Sequence, residues 1–397
     1  MSILASVPLA PRDPILGLTE QFAADPRPGK VNLGVGVYLD ENGKVPLLEC
    51  VRIAEQELAA TPAPRGYLPI DGLAAYNKAV RELIFGADSE PVTSGRVVTI
   101  EALGGTGALK IGAEFLKVAS EQRKLLISDP SWENHLALFS RAGFEVGAYR
   151  YYDPERRGID IDGMLADLAA AEPGTVVVLH ACCHNPTGYD LTGAQWEQVA
   201  QVVAERGLVP FLDLAYQGFA TDVEADAAVP RRFATLGVPV LVASSFSKSF
   251  SLYGERVGGL SIVTADADEA ARVLSQVKIA VRTTYSNPPT HGAALVSRVL
   301  GDATLRAQWD AELAGMRDRI KAMRQALRDG LEAQGITDMG FVTEQVGMFS
   351  YCGLTAAQMQ ELREVHGVYG TDAGRICVAA LNPANVEAVA KAIAAVR

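Results

Sequence analysis

From residue 96 onward, the chain alternates short, apolar, β-branched runs with longer stretches whose apolar residues recur every three or four positions. The runs predict strands over 97–102, 124–128, 146–151, 175–180, 209–214, 240–243 and 259–263. Amphipathic helices fit between most of them, for example 195–205 behind a Thr192 cap. Strands that are apolar throughout, separated by helical crossovers, predict an α/β fold around a mainly parallel sheet covered on both faces. Upstream the pattern differs. Residues 1–12 are punctuated by proline and read as an extended arm, and Asp13-Pro14 suits the cap and first turn of a helix reaching Phe22. The apolar segment Val31 to Tyr38 is broken by Gly34 and Gly36, which predicts a close approach of backbone to a neighbour. Helices follow at about 47–60 and, behind an Asp71 cap, about 72–85. Downstream, a helix from about Thr304 to Gln334 carries Trp309, Leu313, Met316, Ile320, Met323, Leu327 and Leu331 as one stripe. The remainder reads as α+β, with strands over 341–351 and 375–380 and helices at about 355–365 and 384–396. Pattern alone puts a domain boundary near residue 310.

A chain of 397 residues suits two domains, or one large α/β domain with an appendage. Its 36 basic and 47 acidic residues give a net charge of -11, with no basic run, which argues against nucleic-acid and acidic-membrane partners. No stretch of about 18 apolar residues predicts a membrane span, and the first residues lack the pattern of a secretion signal. The five cysteines, Cys50, Cys182, Cys183, Cys352 and Cys377, read as reduced thiols in a cytoplasmic protein.

The candidate chemistry clusters where predicted strands end. Lys248 follows the 240–243 strand in a hydroxyl-rich loop, where a desolvated amine forms a Schiff base with a carbonyl. Ser245 and Arg256 flank it and suit an anion, so the trio fits an aldehyde cofactor carrying a phosphate; the bland alternative is a solvated loop lysine. Gly104-Gly105-Thr106-Gly107 follows a strand and opens a helix, the geometry of a phosphate cradle or simply of a tight turn. Asp213 ends another strand, where a buried carboxylate needs a cation such as a protonated pyridine, and Tyr216 lies three residues on. The His180-Ala-Cys-Cys-His-Asn185 segment invites a metal reading, but no second cysteine pair or matching histidine spacing supports one, and no metal is expected. Asn185 instead offers an amide, Trp132 a stacking face, and His135 and His180 support behind Asp213. Arg282 and Arg375 sit in apolar or glycine-rich settings, where a guanidinium fork suits a carboxylate.

Together these segments resemble the aspartate/aromatic amino acid aminotransferases, class I members of the fold-type I pyridoxal-phosphate enzymes. The likeness runs essentially end to end and rests on Tyr67-Leu-Pro-Ile-Asp-Gly72, His184-Asn-Pro-Thr-Gly188, Asp213-Leu-Ala-Tyr-Gln-Gly-Phe219, Ser245-Phe-Ser-Lys248 and Tyr285-Ser-Asn-Pro-Pro289. The resemblance implies a seven-stranded large domain over 47–310 and a smaller discontinuous α+β domain of 13–46 with 311–397, after an arm of 1–12, which replaces the simple cut at 310. It implies that pyridoxal 5'-phosphate binds covalently to Lys248, which then moves the proton of the substrate Cα. Asp213 would pair with the ring nitrogen, Tyr216 and Asn185 would hold the phenolic oxygen, and Trp132 would stack on the ring. Gly105, Thr106, Ser245 and Arg256 would hold the phosphate, joined by Tyr67 of a second copy. Arg375, with Asn185, Trp132 and Gly36, would clamp the substrate α-carboxylate. Arg282 of the second copy would face the side chain, making the protein a homodimer with shared sites.

The implied reaction moves an amino group between an aromatic or dicarboxylic L-amino acid and 2-oxoglutarate by a ping-pong mechanism. Leu39 and Val45 are apolar where aspartate-specialised relatives carry lysine and threonine, an apolar rim that favours aromatic donors. Thr106 and Asn287 keep the aspartate-type pattern, so aspartate as the main donor is the alternative. A cofactor-binding regulator is the distant one, and the chain shows no helix-turn-helix or basic face for it.

Overall fold

The computed structural model describes residues 2–10, 15–64 and 66–397. Seven strands form the central sheet: β1 (Val97–Leu103), β2 (Lys124–Asp129), β3 (Glu145–Arg150), β4 (Val176–His180), β5 (Val209–Leu214), β6 (Val240–Ser245) and β7 (Val257–Val263). Their spatial order is β1-β7-β6-β5-β4-β2-β3. The β2, β3, β4, β5 and β6 pairings are parallel, while β7 runs antiparallel to both neighbours. The physical reason is the connection: no helix lies between β6 and β7, and without a long crossover the chain returns in the opposite direction.

Alternate side chains leave the sheet on opposite faces, as the two-residue period of a strand requires. Val176, Val178, Phe211 and Leu241 point into one hydrophobic cluster, with the helix Gly104–Ala119. Val177, Leu179, Leu212, Val240 and Val242 point into the other, with Trp196, Phe233 and the long C-terminal helix. The first helix lies so close to the sheet that a Cβ on Gly112 would sit 2.4 Å from the Phe211 ring. The 195–205 helix runs Gly193–Arg206, and Thr192 and Gln195 form its capping box.

The long helix spans Ala303–Ala333, and all seven residues of the predicted stripe are buried on it. Trp309 stacks on Phe250 at 4.7 Å and donates its indole N–H to the Ser249 carbonyl at 2.7 Å, locking the start of this helix to the loop that carries Lys248. A boundary at residue 310 therefore cuts a continuous helix. Early and late segments of the chain also join: Val31 and Asn32 pair in parallel with Val368 and Tyr369, and the Leu33 carbonyl accepts from the Cys377 N–H at 2.7 Å.

Several local expectations are corrected. The helix expected through Phe22 runs Leu16–Ala24, and its Asp13-Pro14 cap lies outside the described residues. Asp71 is no cap: the helix Ala74–Phe85 starts later, Glu101 accepts the Leu73 N–H at 3.1 Å, and Asp71 pairs with Lys278. A carboxylate distant in sequence thus takes the local residue's place. The 341–351 and 375–380 segments contribute only the antiparallel strands Phe349–Tyr351 and Arg375–Cys377. The left-handed Gly347 precedes the first of these, and turns occupy Gly340–Thr343 and Val378–Ala380.

Replacing Trp309 by Phe keeps the stacking but leaves the buried Ser249 carbonyl without its donor. A loss of about 1–3 kcal/mol is expected, read as a lower denaturant midpoint than wild type.

Candidate active site

Register brings the candidate residues to one edge of the sheet. His180 at the end of β4 lies opposite Asp213 on β5, and Asp213 lies opposite Ala243 on β6. Because β7 runs backwards, its first residue Val257 pairs with Leu103, the last residue of β1. Arg256, entering β7, therefore meets the Gly104–Gly105 turn leaving β1, and a Cβ on Gly104 would lie 2.7 Å from the guanidinium. Gly104 and Arg256 both take left-handed backbone, at φ 67° and 55°. For Arg256 that conformation is strained, a feature concentrated at functional sites.

A cavity of about 230 Å³ opens at this edge. Gly105 and Thr106 line one wall, with Ser245, Lys248 and Arg256 beside them. Asp213, Tyr216, His180, Trp132 and Asn185 line the cavity as well. Gly36, Phe349 and Arg375 close the remaining side from the joined early and late segments. A Cβ on Gly36 would lie 2.7 Å from the Phe349 ring, which accounts for the glycine.

The electrostatics are sharply divided. Burial pushes the Asp213 carboxyl up, but the hydrogen bond from His135 (Nε2 to Oδ2, 3.0 Å) and nearby positive charge outweigh it, holding the group below the usual carboxylate value. His135 is oriented in turn by Ser131 Oγ, 2.9 Å from its Nδ1. Burial, reinforced by His135, lowers His180 to about 3, so it is a neutral ring at physiological pH, and neither of its nitrogens has a partner among the described residues. Lys248 is brought down to about 8 by burial, with Arg256 and Arg375 adding to the effect and Asp213 opposing it. Its Nζ lies 4.7 Å from the Tyr216 ring centroid. Burial raises the Tyr216 hydroxyl well above its ordinary value.

Arg375 is 1% exposed, and its partners are mostly neutral. It donates to Asn185 Oδ1 at 3.0 Å and the Gly34 carbonyl at 2.8 Å, and its guanidinium lies 4.5 Å from the Phe349 ring centroid. The one nearby carboxylate among the described residues, Glu133, is 3.7 Å away, and Arg375 Nε is unpaired. A buried cation with so little counter-charge is poised for an incoming anion.

Residues 28–393 match the family model described as aminotransferase class I and II. The chain belongs to this aminotransferase family. It is 58% identical over 394 residues to the aspartate aminotransferase of Pseudomonas aeruginosa, covering 99% of each chain. It is 51% identical over 386 residues to the aromatic-amino-acid aminotransferase of Escherichia coli, covering 97% of each. Among solved structures, the aromatic-amino-acid aminotransferase of Burkholderia pseudomallei covalently bound to pyridoxal phosphate superposes with a TM-score of 0.97, at 62% identity and 100% coverage of both chains.

Not every candidate of this aminotransferase reaches the cavity of a single chain. Tyr67 is 98% exposed. Arg282 is also exposed and donates to Ser286 on its own helix end. Leu39 packs half-buried on the core and Val45 is exposed, so neither lines this cavity. Asn287 donates to the Leu68 carbonyl at 3.2 Å, bracing the segment next to Tyr67. His184 lies in the core, with its ring nitrogens each 2.9 Å from the hydroxyls of Ser128 and Thr187. Sequence reasoning passed over Tyr253, whose hydroxyl accepts the Tyr38 N–H at 2.9 Å, and Phe349. Tyr253 lies five residues past Lys248 and was within reach of inspection; Phe349 is brought to Arg375 by strand pairing that no spacing reveals.

In cofactor-free protein, Lys248 is expected to titrate with a midpoint of about 8, becoming neutral as pH rises through that value. Competitive acylation across a pH series reads the midpoint. Asp213→Asn, which removes the carboxylate that raises it, shifts the midpoint lower.

Proposed function

We propose that the enzyme transfers the amino group of an aromatic or dicarboxylic L-amino acid to 2-oxoglutarate with pyridoxal 5'-phosphate as cofactor. The observation that carries this reading is the pairing, in one cavity, of the buried Lys248 amine with the ionised Asp213 on one side and the weakly compensated Arg375 on the other.

The residues fit the cofactor. Asp213, kept charged by His135, suits a protonated ring nitrogen. Asn185 accepts from Arg375 through Oδ1, which leaves its amide hydrogens to share the phenolic oxygen with Tyr216. The Gly105–Thr106 helix start, Ser245 and Arg256 suit the phosphate. Trp132 supplies a stacking face. When bound, the cofactor supplies an aldehyde carbon and a sink for the electron pair of the broken Cα–H bond. Lys248 takes the proton from the substrate Cα, which its lowered proton affinity suits, while Arg375 fixes the α-carboxylate. Both half-reactions use the same cavity, so the kinetics are ping-pong.

The exposed Tyr67 and Arg282, together with an arm whose Ile3 and Leu9 are 92% and 100% exposed, support a homodimer in which each copy completes the other's site. Residues 47–310 are read as the large domain and 13–46 with 311–397 as the small one, its two parts joined by the Val31–Val368 pairing and the helix Ala303–Ala333 running from one domain into the other. Among the described residues no helix is long and apolar enough to cross a membrane, and the cysteines, all free among those residues, support a cytoplasmic location. Aspartate as main donor is the second reading, favoured by Arg282 and Asn287 and by the Pseudomonas aeruginosa relative.

Lys248→Ala should lower turnover by at least about 10²–10⁴-fold with the fold intact, and normal transamination by this variant would refute the assignment. Comparing kcat/KM for phenylalanine and aspartate decides the donor: a higher value for phenylalanine is expected, and the reverse result establishes the aspartate reading. Sedimentation of the holoenzyme should give a dimer.

A further inference from the structure

A separate cavity of about 250 Å³ lies where the helix Ala303–Ala333 meets the turn after β5, at Phe219 and Ala220, and the 343–347 segment. Arg317, Lys321 and Arg324 line it, spaced so that they share one helix face. No aspartate or glutamate lines it. Among the described residues none of the three cations forms an ion pair, whereas Arg306 and Arg328 of the same helix pair with Asp310 and Glu332.

Arg324 is 2% exposed. It donates to the carbonyls of Val342 at 2.9 Å, Gly347 at 2.8 Å and Phe349, and its Nε has no partner. Arg317 donates to the Gly218 carbonyl at 2.9 Å. Burial lowers Arg324 to about 10, which leaves it charged at neutral pH. Carbonyls satisfy hydrogen bonds but do not cancel a net charge, and a buried cation without counter-charge is costly. The buried Arg324, the half-buried Arg317 and the exposed Lys321 line one void without a carboxylate and make a local positive field in a chain of net charge -11. A space of about 250 Å³ has room for a small ion.

We infer that this cavity binds a small oxyanion, phosphate or a short dicarboxylate, gripped by Arg317 and Lys321 in the field of Arg324. The site is distinct from the Lys248 cavity, and because Arg324 also holds the Gly347 and Phe349 carbonyls, its occupant is tied to the strand whose Phe349 ring lies under Arg375.

The test is calorimetric titration of holoenzyme with inorganic phosphate and, separately, with succinate, in wild type and in the R317Q/K321Q variant. Neither substituted residue lines the Lys248 cavity. Wild type is expected to bind at least one probe, and the variant to bind it about tenfold or more weakly, with unchanged transamination in probe-free buffer. Equal affinity in both proteins would place the anion in the Lys248 cavity and overturn the inference, as would absence of binding to wild type. The single variant K321Q, at an exposed position, repeats the comparison should the double variant fold poorly.

Discussion

An ionised carboxylate held at the bottom of a buried cavity is the constraint around which this aminotransferase is built. Asp213 lies in the core of the sheet, where desolvation alone would favour the protonated acid. The His135 hydrogen bond, itself set by Ser131, together with nearby positive charge reverses that preference. The carboxylate's own charge opposes the desolvation of Lys248, so the amine settles near physiological pH rather than losing its proton altogether. The Asp213 charge thus bears on the protonation of the Lys248 amine in the loop beyond the adjacent strand.

The scaffold serves this arrangement through direction as much as through burial. Parallel strands β2, β4, β5 and β6 deliver their carboxyl ends to one edge, where α/β proteins place their sites. The antiparallel β7 delivers its amino end to the same edge, and with it Arg256. A cation entering a strand and a glycine turn leaving another therefore face each other, although more than 150 residues separate them.

The other half of the cavity comes from segments at the two ends of the chain. Gly36 and Arg375 are neighbours because Leu33 and Asn32 bond to the strands that precede and contain Arg375. Arg375 reaches Gly34 on one side and Asn185 on the other, bridging this region to the sheet. The long helix is fastened at its start to the Lys248 loop through Trp309, and further along to the Phe349 strand through Arg324. Binding chemistry and domain packing share the same residues.

The sequence by itself determined the elements and the chemistry each strand end carries. Runs of β-branched residues, the stripe on the long helix and the capping box at Thr192 are local patterns, and local patterns are set by neighbours in the chain. Asp213 and Arg375 were legible because a charge set in apolar sequence is conspicuous, and Lys248 because it follows an apolar strand into a hydroxyl-rich loop. Tertiary structure alone decided the antiparallel course of β7, the replacement of Asp71 by Glu101 at a helix start, the approach of Phe349 to Arg375, and the exposure of Tyr67, Arg282 and Val45 on the single chain. Each of these depends on which surfaces meet across long sequence separations, and that is a property of packing, which no window along the chain contains.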